Sequence, residues 1–303
     1  MGIALLKKLN TCMPDQLKQI AAPMIRAKLI YNAEFQKQFN ALEKAQYSSA
    51  ADIEKMQLEK LKSVLIHAYE HVPYYHRTFD ECGLNVYDIK DSSEISRIPT
   101  LDKAEIIANF DELQADDIDD FYSATTGGST GTPLKVNLDR DSIYKERAFI
   151  YHFWEQHGYS YKSSKMASFR GTDFHGKISK YNPLYNEIQM NPCEINVDTI
   201  DKYIKKMDTF GVEFLHGFPS AIYSLCKYAK QLNIDLKNKY KAVFLISENI
   251  YDFQKNMIKE ILGCDAYAFY GHTERAVFAE QIGGGGIDLI PFMAVFKLIR
   301  TAA

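Results

Sequence analysis

Between residues 165 and 270 the chain alternates short apolar runs with amphipathic stretches, and this alternation limits the fold more than any other feature. The runs at 165–169, 212–215, 241–246 and 265–270 have strand length. The stretches at 197–210, 220–231 and 251–262 carry apolar residues at helical spacing. Strand, helix, strand repetition predicts an α/β domain with a largely parallel sheet flanked by helices. In such sheets ligands bind beyond the carboxyl ends of the strands. The segments that follow these runs are therefore where a site is to be sought.

The 303 residues are 46% hydrophobic, enough for one large core or two smaller ones. A net charge of −3 and a pI near 6.3 argue against a nucleic-acid partner, since no basic surplus is present to neutralise phosphates. The five cysteines contain no Cys-x-x-Cys pair, which points to neither a zinc knuckle nor a disulfide framework and fits a reducing cytoplasm. The opening MGIALLKKLN lacks a signal-peptide core, and no stretch reaches the roughly 20 apolar residues of a membrane span.

The first 90 residues read as a helical N-terminal region. One helix is expected from about Asp15 to Ala45. A second follows from Ile53 and stops at Val72-Pro73, where an aromatic connection begins. His67, His71 and His76 lie close in sequence, with no acidic residue at ligand spacing. They are expected to cap and pack the helix rather than bind a metal. Ile98 to Lys103 predicts a turn and a short helix with Thr100 as N-cap. The acidic patch Asp116, Asp117, Asp119 and Asp120 is expected to be a solvated connection.

Thr125 to Lys135 reads TTGGSTGTPLK. Its three glycines leave backbone amides open to a ligand, and its four threonines and one serine add hydroxyl donors. This is the composition of a phosphate cradle, although a plain hairpin turn between two strands is the competing reading. It is not a Walker A loop, because Thr132 and not lysine follows Gly131. The spacing Gly127, Gly128, Gly131 does not fit a dinucleotide turn. The Gly-x-Ser-x-Gly match at Gly127 to Gly131 is followed by Pro133 and a strand-like 134–138, not by the helix a nucleophile elbow needs.

A second motif, Tyr270-Gly271-His272-Thr273-Glu274, follows the run at 266–269. A tyrosine face can stack on a purine, Gly271 permits a tight turn, Thr273 can donate to a phosphate, and Glu274 is a hard oxygen donor suited to Mg2+. His216-Gly217-Phe218-Pro219-Ser220 and Ser247-Glu248 each end a strand-like run, where ordinary strand-to-helix capping is the competing reading. Arg170-Gly171-Thr172, between Phe169 and Phe174, is a candidate wall for an acyl pocket, with plain packing an equal reading.

Taken together, these residues resemble the adenylate-forming superfamily, in particular the branch with phenylacetate–CoA ligases and CapK-like proteins. The resemblance runs from about Val72 to Gln281. It implies the N-terminal large domain of such an enzyme, with a helical N-terminal region plus mixed and parallel sheets flanked by helices. It also implies ATP-dependent adenylation of a small carboxylic acid, followed by transfer to CoA or another acceptor. Thr125, Thr126, Gly127, Gly128, Ser129, Thr130, Gly131 and Thr132, with Lys135, would hold the β- and γ-phosphates. Thr273 would hold the α-phosphate and Glu274 the Mg2+. Tyr270 and Gly271 would border the purine. Gly217 and Pro219 would border the nucleotide and acyl pockets, and the backbone of Ser247 and Glu248 would lie along the adenine. A homodimer is among the assemblies this allows.

The resemblance divides the chain into a helical region at 1–90, an AMP-binding α/β domain at 91–286 and an atypical tail at 287–303. After Gly283 to Gly286 the family continues with a ribose-binding aspartate and a small domain carrying a catalytic lysine, and the tail does not match that continuation. The alternative expectation is therefore a truncated relative that binds nucleotide or a partner with poor turnover.

Overall fold

A computed structural model of the chain describes residues 22–28, 30–126, 131, 133–171, 174–282 and 286–289. The chain forms two compact units, one of residues 1–36 with 150–269, the other of residues 37–149 with 270–303.

In the first unit, strands β3 (Met166–Phe169), β4 (Ser179–Asn182), β5 (Glu187–Met190), β6 (Phe214–Gly217), β7 (Ala242–Leu245) and β8 (Asp265–Gly271) lie side by side in the order β4-β5-β3-β6-β7-β8. All neighbours are parallel except β4 and β5. The parallel strands β3, β6 and β7 are buried along their whole length, as a sheet covered on both faces requires. The sequence reading found β3 and β6 to β8. It missed β4 and β5, because SKYN offers neither an apolar run nor an alternation, and EIQM alternates over only four residues.

Helices α6 (Ile200–Phe210), α7 (Pro219–Gln231) and α8 (Asp252–Leu262) supply the crossovers. α6 buries Ile200, Tyr203, Ile204 and Met207, one stripe at helical spacing, in the same core as Leu215, Ile222, Leu225, Val243 and Leu245. α6 and α8 both end at a left-handed glycine, Gly211 at φ 76° and Gly263 at φ 72°. Burying the Tyr203 hydroxyl is offset by a 2.7 Å hydrogen bond donated to the Asn191 carbonyl.

The second unit holds α1 from Lys37 onward (the helix spans Ala33–Ala45), α2 (Ala50–His71), α3 (Pro73–Glu81), α4 (Lys103–Ala108), and two antiparallel strand pairs. The pairs are β1 (Phe121–Thr125) with β2 (Lys135–Asp139), and β9 (Phe278–Ile282) with β10 (Gly286–Leu289). α5 (Asp141–Glu155) begins in this unit. Leu61, Leu65 and Ala68 of α2 pack with Tyr75 and Phe79 of α3 and with Leu84, Val86 and Leu113.

Three expectations are corrected. The helix drawn from Asp15 to Ala45 is interrupted: residues 22–28 are helical, and α1 restarts at Ala33 with the Asn32 side chain accepting the Phe35 amide. Residues 15–21 lie outside the described residues. The aromatic connection at Pro73 is the helix α3, since proline at the first position ends α2 through an extended Val72 and starts the next helix with its φ already set. Asp102, not Thr100, caps α4, because its carboxylate reaches the Glu105 amide at 2.8 Å while Glu105 returns to the Asp102 amide.

Candidate functional site

The TTGGSTGTPLK run is the connection of the β1–β2 hairpin. Strand pairing ends at Thr125 opposite Lys135. Beyond that pair the neck is closed twice: the Thr126 amide donates to the Leu134 carbonyl at 2.9 Å, and the Leu134 amide donates to Thr126 Oγ1 at 2.9 Å. The Thr126 hydroxyl thus fixes the loop's base by accepting the Leu134 amide. A side chain on Gly131 would meet nothing within 4 Å. Gly127, Gly128, Ser129, Thr130 and Thr132 lie outside the described residues. Lys135 is exposed, with Nζ 5.0 Å from the centre of the Phe110 ring.

The second motif, Tyr270 to Glu274, starts at the last residues of β8 and belongs to the same unit as the hairpin. Tyr270 is half-exposed at 52%, a ring face left open at a strand end. A turn closed by the Arg275 amide on the His272 carbonyl follows, at 3.0 Å. His272 Nδ1 donates to Glu274 Oε2 at 2.7 Å, and this bond holds the Glu274 carboxyl below its ordinary range. Glu274 is therefore an ionised, hard oxygen donor, the chemistry a magnesium ion asks for.

Arg275 fixes this turn. It takes the left-handed conformation, φ 55°, uncommon for a residue with a side chain. Its guanidinium donates to the Tyr122 hydroxyl on β1 and, at 3.0 Å, to Ser142 Oγ on α5, and it pairs with Glu146 Oε2 at 2.7 Å. Tyr122 sits three residues before Thr125. The strand that enters the glycine-rich loop and the turn that carries Thr273 and Glu274 are thereby tied through one side chain. Sequence reasoning missed Arg275, Tyr122, Ser142, Glu146 and the His272 contact. The signal within reach was an arginine directly after the motif.

Gly217, Pro219, Ser247 and Glu248 stand in the first unit, at the carboxyl ends of the neighbouring strands β6 and β7. Gly217 has φ 151°, and a Cβ there would lie 2.4 Å from the Phe169 carbonyl oxygen, so only glycine fits. Pro219 occupies the first turn of α7. Ser247 is left-handed, φ 70°. Glu248 caps α7: its carboxylate accepts the Ser220 amide at 3.0 Å and the Ser220 hydroxyl at 2.9 Å, where the N-cap residue Phe218 has no polar side chain of its own. The capping reading thus holds for the Glu248 side chain. Gly171 of the acyl-wall candidate is left-handed, φ 89°, and Thr172 lies outside the described residues.

His67, His71 and His76 part company. His76 stacks on Tyr69, whereas His67 and His71 meet the acidic patch, whose four aspartates are exposed, as a solvated connection requires, while two of them pair with imidazoles. His67 bonds Asp117 at 3.0 Å and His71 bonds Asp116 at 2.9 Å, partners 50 and 45 residues away in sequence.

No protein-family model matches the chain. Its fold is that of the adenylate-forming CoA ligases: it aligns with 2-hydroxyisobutyryl-CoA ligase in complex with 2-HIB-AMP and CoA at a TM-score of 0.61 and 16% identity, over 78% of this chain and 59% of that one. In sequence, too, the chain is similar to adenylate-forming relatives. Among curated proteins it is similar to protein CapK of Staphylococcus aureus, 25% identical over 211 residues, 68% of this chain and 47% of CapK. It is also similar to the phenylacetate-coenzyme A ligase of Escherichia coli K12, 29% identical over 104 residues, 34% of this chain and 24% of the ligase. The chain therefore spans about half the length of CapK and about a quarter of that ligase.

Proposed function

We propose that this chain carries the ATP-dependent adenylation step of an acid–CoA ligase acting on a small carboxylic acid. The supporting observation is the Arg275 tie, which joins the strand entering the glycine- and hydroxyl-rich loop to the turn bearing Thr273 and Glu274. In this reading residues 91–286 hold the adenylating machinery and the helical region 1–90 precedes it. A substrate carboxylate oxygen attacks the α-phosphorus of ATP. The bond to the β-phosphate oxygen breaks, giving an acyl-AMP and pyrophosphate. A thiol, taken to be that of CoA, then displaces AMP.

The chain's task in the first step is positioning and charge neutralisation. The amides and hydroxyls of 125–132, with Lys135, hold the β- and γ-phosphates. Thr273 donates to the α-phosphate, Tyr270 and Gly271 border the purine, and the strand ends at Gly217, Pro219, Ser247 and Glu248 border the adenine and acyl group. Glu274 would hold a Mg2+ ion, which when bound neutralises charge on the phosphates. The similarity to CapK favours a role in capsular or surface polysaccharide assembly, in the cytoplasm. Among the described residues no helix is long and apolar enough to cross a membrane.

Two measurements test the reading. MgATP should raise the melting temperature of the full chain, and Glu274→Ala should abolish the rise. Pyrophosphate release should depend on an added carboxylate, screened across aryl, alkyl and hydroxy acids. No thermal response to MgATP in the wild type refutes nucleotide binding. A thermal response without carboxylate-dependent pyrophosphate leaves a nucleotide-binding relative and refutes the ligase.

A further inference from the structure

His67 and His71 stand one turn apart near the carboxyl end of α2, so they share a face, with ring centroids 4.9 Å apart. The segment at 115–117 lies against that face. It is held by the main chain, the Asp116 amide donating to the His71 carbonyl at 3.0 Å, and one step away the Tyr74 amide donates to the Glu112 carbonyl at 3.0 Å. Two carboxylates are thereby fixed opposite two imidazoles. His67 Nε2 lies 3.1 and 3.0 Å from the two Asp117 oxygens, and His71 Nδ1 lies 2.9 Å from Asp116 Oδ1. Ligating atoms, one each from His71, Asp116 and Asp117, lie within 4.8 Å of one another.

We propose that His67, His71, Asp116 and Asp117 form a binding site for a divalent transition cation of the zinc type, which staples the end of α2 to the segment leading into β1. Four donors, two imidazole nitrogens and two carboxylate oxygens, are the number and kind that such an ion takes in tetrahedral sites. Metal–ligand distances of about 2.0–2.2 Å place tetrahedral donors roughly 3.4 Å apart. For His71, Asp116 and Asp117 the spread of up to 4.8 Å needs an inward shift of about 1.4 Å at most; His67, 3.0 Å from Asp117, stands outside that trio and joins it by a larger side-chain rotation. With neutral imidazoles the cluster carries two negative charges, which a dication balances. The side chains are accessible, His67 at 27% and His71 at 35%, so an ion can enter without opening a core. Magnesium fits less well, since it favours oxygen donors. This site is separate from Glu274 and does not depend on the adenylation reading.

The test is calorimetric titration of the chelator-treated full chain with Zn2+, in parallel with Co2+ absorption. One equivalent should bind, and Co2+ should show ligand-field bands without a thiolate charge-transfer band. Asp117→Asn and the His67→Gln/His71→Gln pair should each weaken Zn2+ at least 10-fold, while Glu274→Ala should leave it unchanged. Absence of binding overturns the proposal. So does binding that survives the histidine variants, or a thiolate band, either of which assigns the ion to the free cysteines, two of them outside the core at Cys82 and Cys193. If the variants do not fold, the wild-type Co2+ spectrum decides alone.

Discussion

Glu280 on β9 is 6% exposed, its Oε1 has no hydrogen-bond partner among the described residues, and Phe278 and Ala279 beside it are equally buried. Burial disfavours the charged form and lifts its carboxyl from 4.5 to about 7. The sign follows from proton binding. Between pH 4.5 and about 7 the folded chain keeps a proton that the unfolded chain has released, so stability falls as pH rises across that window and levels off above it. At about 1.4 kcal/mol per pH unit, the full penalty is about 3 kcal/mol at pH 8 and under about 1 kcal/mol at pH 5. Glu280→Gln keeps the shape and removes the ionisation. Its fixed cost, an amide that needs partners, is the same at both pH values and cancels in the difference. Urea unfolding of wild type and variant at pH 5 and pH 8 should show the variant's relative stability improving by about 2–3 kcal/mol at the higher pH. A relative stability that does not change between the two pH values refutes the reasoning, whatever its sign.

Three further outcomes are expected. Gly217→Ala forces a Cβ against the Phe169 carbonyl and should cost more than about 3 kcal/mol by chemical denaturation, or prevent folding. Arg275→Met leaves the Glu146 carboxylate without its cation in a part-buried setting, so it should destabilise by about 2–4 kcal/mol and weaken the thermal response to MgATP; adding Glu146→Gln should recover part of the stability but not the MgATP response. At the left-handed Ser247, Ser247→Gly should stay within about 0.5 kcal/mol of wild type in thermal unfolding, whereas the β-branched Ser247→Val should cost about 1–2 kcal/mol.

What the sequence revealed followed from how local the physics is. β6 and β7 are apolar because both faces are covered, and α6 to α8 show their buried stripes in the spacing of single residues, so both were legible. The edge pair β4–β5 was not, because an edge strand owes its place to its neighbour's hydrogen bonds more than to its own side chains. The site divided along the same line. Glycines, hydroxyls and Glu274 stand in contiguous motifs. Arg275 meets Tyr122 across 153 positions and His67 meets Asp117 across 50, and no spacing rule reaches that far. Asp102 displaced Thr100 as a cap for a finer reason, two residues of register that only the closing Glu105 contact decides.

Glu248 on the amino end of α7 has one more consequence. A helix opening with free amides attracts anions, and here that attraction is already answered by a carboxylate from the neighbouring strand end. A phosphate approaching this edge would meet a negative charge where the fold would otherwise offer a positive one.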